Sequence, residues 1–201
     1  IEGQTSMMEL EAESGIDNTE KRTAAIRSAT HRLANLFDQW LQSDRINQPS
    51  SNLEIAPINL VEMLGGLVKT SRLFHPEHRF IYSPSQHHIV IQCDAHLLQI
   101  AILNLIDNAS KYSPHDSIIS IDLIFEQSKV GISVSDQGSG IQKTDLERIF
   151  EVYYRAATED KVKGTGLGLA FVKKISELHG GNTEVNSQLN VGSTFIIWLP
   201  L

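Results

Sequence analysis

Cysteine is nearly absent: Cys93 stands alone among 201 residues, which excludes an internal disulfide framework and suits a reducing compartment. Basic residues are in deficit, with 17 Lys and Arg against 24 Asp and Glu and a formal net charge of −7. That balance argues against nucleic acid or an anionic membrane as the main partner, because such surfaces are met with basic patches. A phosphate pocket can still be positive locally. No run of about 18 apolar residues exists, and the start Ile1-Glu-Gly-Gln has neither the basic nor the apolar stretch of a signal peptide. A cytoplasmic segment that is not inserted in a membrane is therefore expected. The missing initiator Met suggests a piece of a longer protein. There is no internal repeat, no low-complexity tract, no Gly-Lys-Ser/Thr phosphate loop and no nucleophile elbow around a Ser or Cys.

What is present, 41% hydrophobic and 20% charged residues, suffices for one substantial core and a small second element. Residues 1 to about 17 are polar and acidic without periodicity, the composition of a partly disordered or truncated element. From Thr19 onward, Ile26, Ala29, Thr30, Leu33, Leu36, Phe37 and Trp40 recur at three- and four-residue steps, the pattern of one amphipathic helix. Such a stripe needs a partner: missing chain, a second subunit or the globular domain. Gln48-Pro-Ser-Ser-Asn52 is linker composition and divides residues 1–48 from 49–201.

Beyond the linker, the pattern predicts a strand over Leu53–Ala56 and a helix over Ile58–Leu73, which Gly65-Gly66 weakens by about 1 kcal/mol per glycine. Strands follow at Phe80–Tyr82 and Ile89–Gln92, on either side of a Ser-Pro-Ser turn. Asp94 reads as the N-cap of a long helix, Ala95–Tyr112. A hairpin of Ile118–Phe125 and Val130–Val134, a short helix at Thr144–Glu151, a helix at Gly166–Leu178 and closing strands at Val185 and Thr194–Leu199 complete the chain. The strands are too few per helix, and too often adjacent in sequence, for a doubly wound parallel sheet. The expected class is α+β, an α/β sandwich whose mixed, mostly antiparallel sheet is covered on one face by helices.

Four segments carry the candidate chemistry: Asn104-Leu-Ile-Asp-Asn108-Ala-Ser-Lys111-Tyr112, Asp136-Gln-Gly138-Ser-Gly140-Ile141, Ile149-Phe150-Glu-Val-Tyr153-Tyr154-Arg155 and Gly164-Thr-Gly166-Leu-Gly168-Leu169. In the first, Asn104, Asp107, Asn108 and Lys111 lie within about 100° of helical arc, opposite a core stripe of Leu98, Ile102, Leu105 and Ala109. Asp107 reads as part of a solvated face, paired with Lys111 at i+4. The asparagines are poor helix-interior residues, and the neutral oxygen of Asn108 suits Mg²⁺, a hard ion held mainly by water and phosphate. In the second, Asp136 ends a hydrophobic strand and precedes glycines at alternate positions, as where a carboxylate faces a cleft while the backbone turns sharply. In the fourth, glycines open a helix whose free N–H groups favour an anion. Alone, each segment is a weak signal.

In order, over about 65 residues, they resemble the N, G1, F and G2 boxes of sensor histidine kinases. That nucleotide domain is shared with gyrase-type, Hsp90-type and MutL-type ATPases and has the Bergerat-type fold. The resemblance covers residues 52–201 closely and residues 19–48 by pattern, where Arg27–Asp38 and Ser43–Ile46 look like the second helix of a dimerisation hairpin. It implies ATP and Mg²⁺ as ligands. Asn104 and Asn108 would form the metal and phosphate side, Lys111 would contact phosphate, and Tyr112 would either line the nucleotide or simply pack. Asp136 would accept a hydrogen bond from the adenine amine and repel the guanine carbonyl, with Gly138, Gly140 and Ile141 as cofactor-binding neighbours. Ile141, Ile149 and Phe150 read as apolar packing beneath a lid. The stretch Gly140–Gly164 would be a lid tipped by Glu159–Lys163. Arg155 is open between a γ-phosphate contact and a solvated arginine. Gly164, Thr165, Gly166, Leu167, Gly168 and Leu169 would receive phosphate. Implied partners are the protein's own dimerisation and phosphoacceptor helix, in a homodimer at full length, and a response regulator receiver domain.

One part of the family pattern is missing. A phosphoacceptor histidine has an acidic neighbour and, soon after, an arginine-threonine-proline turn; His31, His96, His115 and His179 all lack that setting. His75, His78, His87 and His88 lack a cysteine cluster or an acidic partner at helical spacing, and read as surface residues rather than a metal site. Two rivals stay open: an anti-sigma-type serine kinase, which would carry an acidic residue where Asn104 stands, and a catalytically silent ATP-dependent interaction module.

Overall fold

The computed structural model describes residues 53–155 and 165–201. The expected amphipathic helix, the expected lid tip Glu159–Lys163 and Gly164 lie outside the described residues. The chain divides into two units after Ser51, and the second, Asn52–Leu201, holds everything that follows.

Its first strand, β1 (Ala56–Asn59), ends on the residue that begins helix α1 (Leu60–Phe74). Asn59 Oδ1 accepts from the Val61 amide at 3.2 Å, capping the helix, and from Ile89 N at 3.2 Å. The strand therefore lies three residues later than the pattern of Leu53–Ala56 suggested, and the helix starts where an Asn cap is available. Strands β2 (Arg79–Tyr82) and β3 (Val90–Cys93) are not a hairpin: β3 pairs antiparallel with β1, whereas β2 pairs in parallel with β4 (Ile118–Glu126). Helix α2 (Ala95–Tyr112) begins on Asp94, whose Oδ1 accepts from His96 N and Leu97 N at 3.1 Å each. After β4 come β5 (Lys129–Ser135), helix α3 (Gly168–Leu178), β6 (Asn182–Gln188) and β7 (Gly192–Pro200). The main sheet has the order β2-β4-β5-β7-β6, with every pair antiparallel except the first.

Register explains the layering. Ile121 faces Val134 and Val134 faces Phe195, while Val130 faces Leu199 and Ile132 faces Ile197, so these side chains share one face of the pleat. That face is buried, as are Leu98, Ala101, Ile102, Leu105, Ile106 and Ala109 of α2 and Val172 and Ile175 of α3. The two helices pack on each other, α2 along β4 and β5 and α3 along β6 and β7. The opposite face carries Ser120, Asp122, Ser133 and Glu184. Gly131 is needed there because a Cβ would come within 2.8 Å of the Trp198 ring.

Two histidines depart from the surface placement that the sequence suggested. His78 is buried, with Nε2 at 3.0 Å from the Ser110 carbonyl oxygen and Nδ1 at 3.1 Å from Ser117 Oγ, so its polar atoms are satisfied inside rather than by water. His75 Nε2 lies 3.2 Å from Asp107 Oδ1; the acid pairs across to the end of α1 instead of along its helix to Lys111. Thr144–Glu151 is a succession of tight turns rather than a helix, with Asp145 N bonded to Gln142 O, Arg148 N to Asp145 O and Glu151 N to Arg148 O. A stretch that short nucleates a helix poorly, and side chains take over: Tyr154 Oη donates to Asp145 Oδ1 at 3.0 Å and Arg148 stacks 4.3 Å above the Tyr154 ring.

Candidate functional site

Asp136 follows directly on β5, the central strand of the main sheet, where the chain turns sharply. Asp136 Oδ1 accepts from Gly138 N at 2.8 Å and from Ser193 N at 3.2 Å. Oδ2 has no hydrogen-bond partner among the described residues. Burial pushes the carboxyl above the ordinary Asp range, and the two backbone amides pull it part of the way back. One oxygen is thus spent on holding the side chain still, and the other remains as an acceptor.

The turn fits because its glycines do. A Cβ on Gly138 would sit 2.6 Å from the Tyr112 carbonyl oxygen. Gly140, at φ +66°, crosses the β6–β7 turn so closely that a Cβ would stand 2.0 Å from Gln188 O. The loop is bonded on to that hairpin: Asn190 N donates to Ser139 O at 2.6 Å and Ile141 N donates to Ser187 Oγ at 2.8 Å. Gly192 lies as tightly against Asp136 O. Sequence reasoning placed Asp136, Gly138, Gly140 and Ile141 together, and the structure does bring them together. It missed Ser187, Asn190, Gly192 and Ser193, whose only sequence signal is the Asn-x-Gly turn between β6 and β7.

The other side of the site is α2. Asn104, Asn108 and Lys111 fall one turn apart along it, and Tyr112 closes its last turn, its carbonyl accepting from Ser139 N at 3.2 Å. Asn104 Nδ2 donates back to Ile100 O at 2.9 Å, which leaves Oδ1 directed at the first residue of α3: a Cβ on Gly168 would lie 2.9 Å from it. The glycine therefore allows the helix start to close on Asn104. Asn108 is half-buried and Lys111 is exposed.

Helix α3 begins without a side-chain cap hydrogen bond at its N-cap, Leu167, among the described residues, and amides at a helix start are the kind of donors that favour an anion. Gly166, at φ +72°, lies outside the helix expected from Gly166, and its carbonyl accepts from Tyr153 N at 3.0 Å. Gly166 thereby meets the segment that ends in Arg155, at Tyr153 and Tyr154. Ile149 is buried; Val152 and Tyr153 are exposed. A second omission from the sequence reading lies at the other end of α3. His179, after the last turn of α3, is buried; its Nε2 accepts from Asp94 N at 2.9 Å and its Nδ1 donates to Ile175 O at 2.8 Å. The ring ties the end of α3 to the start of α2. Cys93, beside it, is buried with its thiol pushed up to about 11 by burial and by Asp94, which leaves little thiolate for chemistry.

The family described as histidine kinase-, DNA gyrase B- and HSP90-like ATPase matches residues 93–201. Sensor protein RprX of Bacteroides fragilis is 34% identical over 185 residues, covering 89% of this chain and 36% of that protein. Sensor histidine kinase WalK of Bacillus subtilis is 30% identical over 179 residues, 87% of this chain and 29% of that protein. The chain thus spans about a third of the length of these curated relatives. Among solved structures, the mycobacterial sensor histidine kinase MprB aligns with a TM-score of 0.64 at 26% identity, over 73% of this chain and 97% of that one. Each of the matched features above, from Asp136 to the uncapped start of α3, lies inside the matched residues, and the chain belongs to the family of histidine kinase-, DNA gyrase B- and HSP90-like ATPases, as an ATP-binding domain of the sensor histidine kinase kind.

Proposed function

We propose that this domain positions Mg·ATP and transfers its γ-phosphoryl group to a histidine on a dimerisation helix, for relay to an aspartate of a response regulator receiver domain. The observation that carries the reading is the state of Asp136, with one oxygen saturated by backbone amides and the other left to accept from the adenine amine. Guanine would present a carbonyl there and be repelled. The glycines Gly138 and Gly140 let backbone close around the base, and Tyr112 and Ile141 line it.

At the other end, Asn108 is the metal residue, with Asn104 beside it. Their amide oxygens fit a magnesium ion held chiefly by phosphate and water, which on binding neutralises phosphate charge. Lys111 and Arg155 contact phosphate, and the amides after Gly166 receive it. None of these side chains is a base. The work of the domain is placement and charge neutralisation, and the attacking nitrogen comes from the acceptor helix. A full-length homodimer in the cytoplasm is the setting this implies; among the described residues no helix is long and apolar enough to cross a membrane. The solved structure of ShkA, 26% identical over 88% of this chain with a TM-score of 0.72, is a complex with AMPPNP, which supports ATP as the ligand here.

The test is labelling with radioactive ATP. The chain by itself should bind ATP without labelling itself, and addition of a histidine-bearing dimerisation hairpin should yield acid-labile, base-stable label on that hairpin. Stable label on His31 or His115, or label on a serine of a partner, would overturn the assignment.

A further inference from the structure

Ser187 Oγ collects three hydrogen bonds. It accepts from Ile141 N at 2.8 Å, donates to Gly192 O at 3.1 Å and lies 2.9 Å from Ser193 Oγ, which donates to it. One proton and two lone pairs are all that a hydroxyl has, so this one is saturated. The neighbouring amide of Ser193 holds Asp136 Oδ1. Both ends of the loop Asp136–Ile141 are therefore fastened to the same hairpin, the carboxylate end through Ser193 and the lid end through Ser187, while Gly140 lies against Gln188 O between them.

We infer that Ser187 is a positioning residue for nucleotide binding, its hydroxyl fixing the Ile141 end of the glycine loop relative to Asp136. The inference rests on the reading of that loop as the nucleotide wall. Without the hydroxyl, Ile141 N loses its acceptor and the last fastening of the loop beyond the Asn190 N–Ser139 O bond is gone, although Asp136 keeps both of its amides. Two properties should then separate. Affinity, which needs the whole loop in place, should fall; base preference, which Asp136 sets, should persist.

The experiment uses the full chain with Ser187→Ala and the pair Ser187→Thr and Ser187→Val, which share a shape and differ in the hydroxyl. Hydrogen exchange at the Ile141 amide and Mg·ATP and Mg·GTP affinities by calorimetry are measured well below the melting midpoint. Ala and Val should speed Ile141 exchange and weaken Mg·ATP by about three- to tenfold, the worth of one neutral hydrogen bond. The ratio of ATP to GTP affinity should stay parental, and Thr should restore both exchange and affinity. If Ala does not fold, the comparison of Thr with Val carries the result. Parental Mg·ATP affinity in Val, or Thr no better than Val, overturns the inference while leaving the site reading intact. A parental chain that does not bind ATP overturns both.

Discussion

The two ends of the site are built differently. At the proposed adenine end, the amides of Gly138, Ser193 and Asn190 and the hydroxyl of Ser187 hold Asp136 and the glycine loop within the fold itself. At the proposed phosphate end, Asn104, Asn108 and Lys111 lie along α2, and α3 starts without a side-chain cap among the described residues. As proposed, the first end would select, because a fixed acceptor discriminates between bases at no reorganisation cost. The second end, as proposed, would be completed by the nucleotide phosphates and a cation.

Substitutions can break that contrast, most severely at the close approaches. Gly140→Ala would place a Cβ 2.0 Å from Gln188 O at a φ of +66°. It should cost about 3 kcal/mol or more, read by urea unfolding, with loss of ATP binding.

Asp136→Asn should be next, weakening ATP by about 1.5–3 kcal/mol, the worth of a hydrogen bond to a charged group, and narrowing the preference over GTP. Calorimetry with both nucleotides checks it. The pH dependence follows from the raised folded-state value of Asp136. For the unliganded fold, protonation is favoured relative to the unfolded chain, so its contribution to stability is present at low pH and lost as pH rises through the folded value. Asp136→Asn should therefore leave the melting midpoint at neutral pH unchanged or raise it. For binding the sign is opposite: protonated Asp136 is a poorer acceptor for adenine, and ATP affinity should decline on acidification at a higher pH than an exposed aspartate would give. In Asp136→Asn that decline should vanish.

Asn108→Ala should remove the gain that Mg²⁺ gives to ATP binding, roughly tenfold or about 1.4 kcal/mol, while base preference and fold persist. Unchanged Mg·ATP affinity would rule out the metal role. The smallest effect belongs to Lys111→Ala: exposed and screened, it should cost under about 1 kcal/mol and fade in high salt.

What sequence could and could not say follows the same division. Helix α2, its Asp94 cap and the order of the four motifs are local and periodic, so they were readable. The clamps were not. Ile141 meets Ser187 across 46 positions and Asp94 meets His179 across 85, and nothing in a serine or a histidine by itself announces a partner that far away. Strand partners failed for the same reason: β2 and β3 are neighbours in the chain, yet their hydrogen bonds go to β4 and β1. His78 illustrates the limit of composition, because a histidine that satisfies both ring nitrogens inside looks, in sequence, like one on the surface.

The central claim is that the adenine end is prebuilt and selective. Paired calorimetric titrations of the unmodified chain with Mg·ATP and Mg·GTP test it most directly. Mg·ATP should bind at least about tenfold more tightly, a difference of about 1.4 kcal/mol. Equal affinities for the two nucleotides would contradict the account.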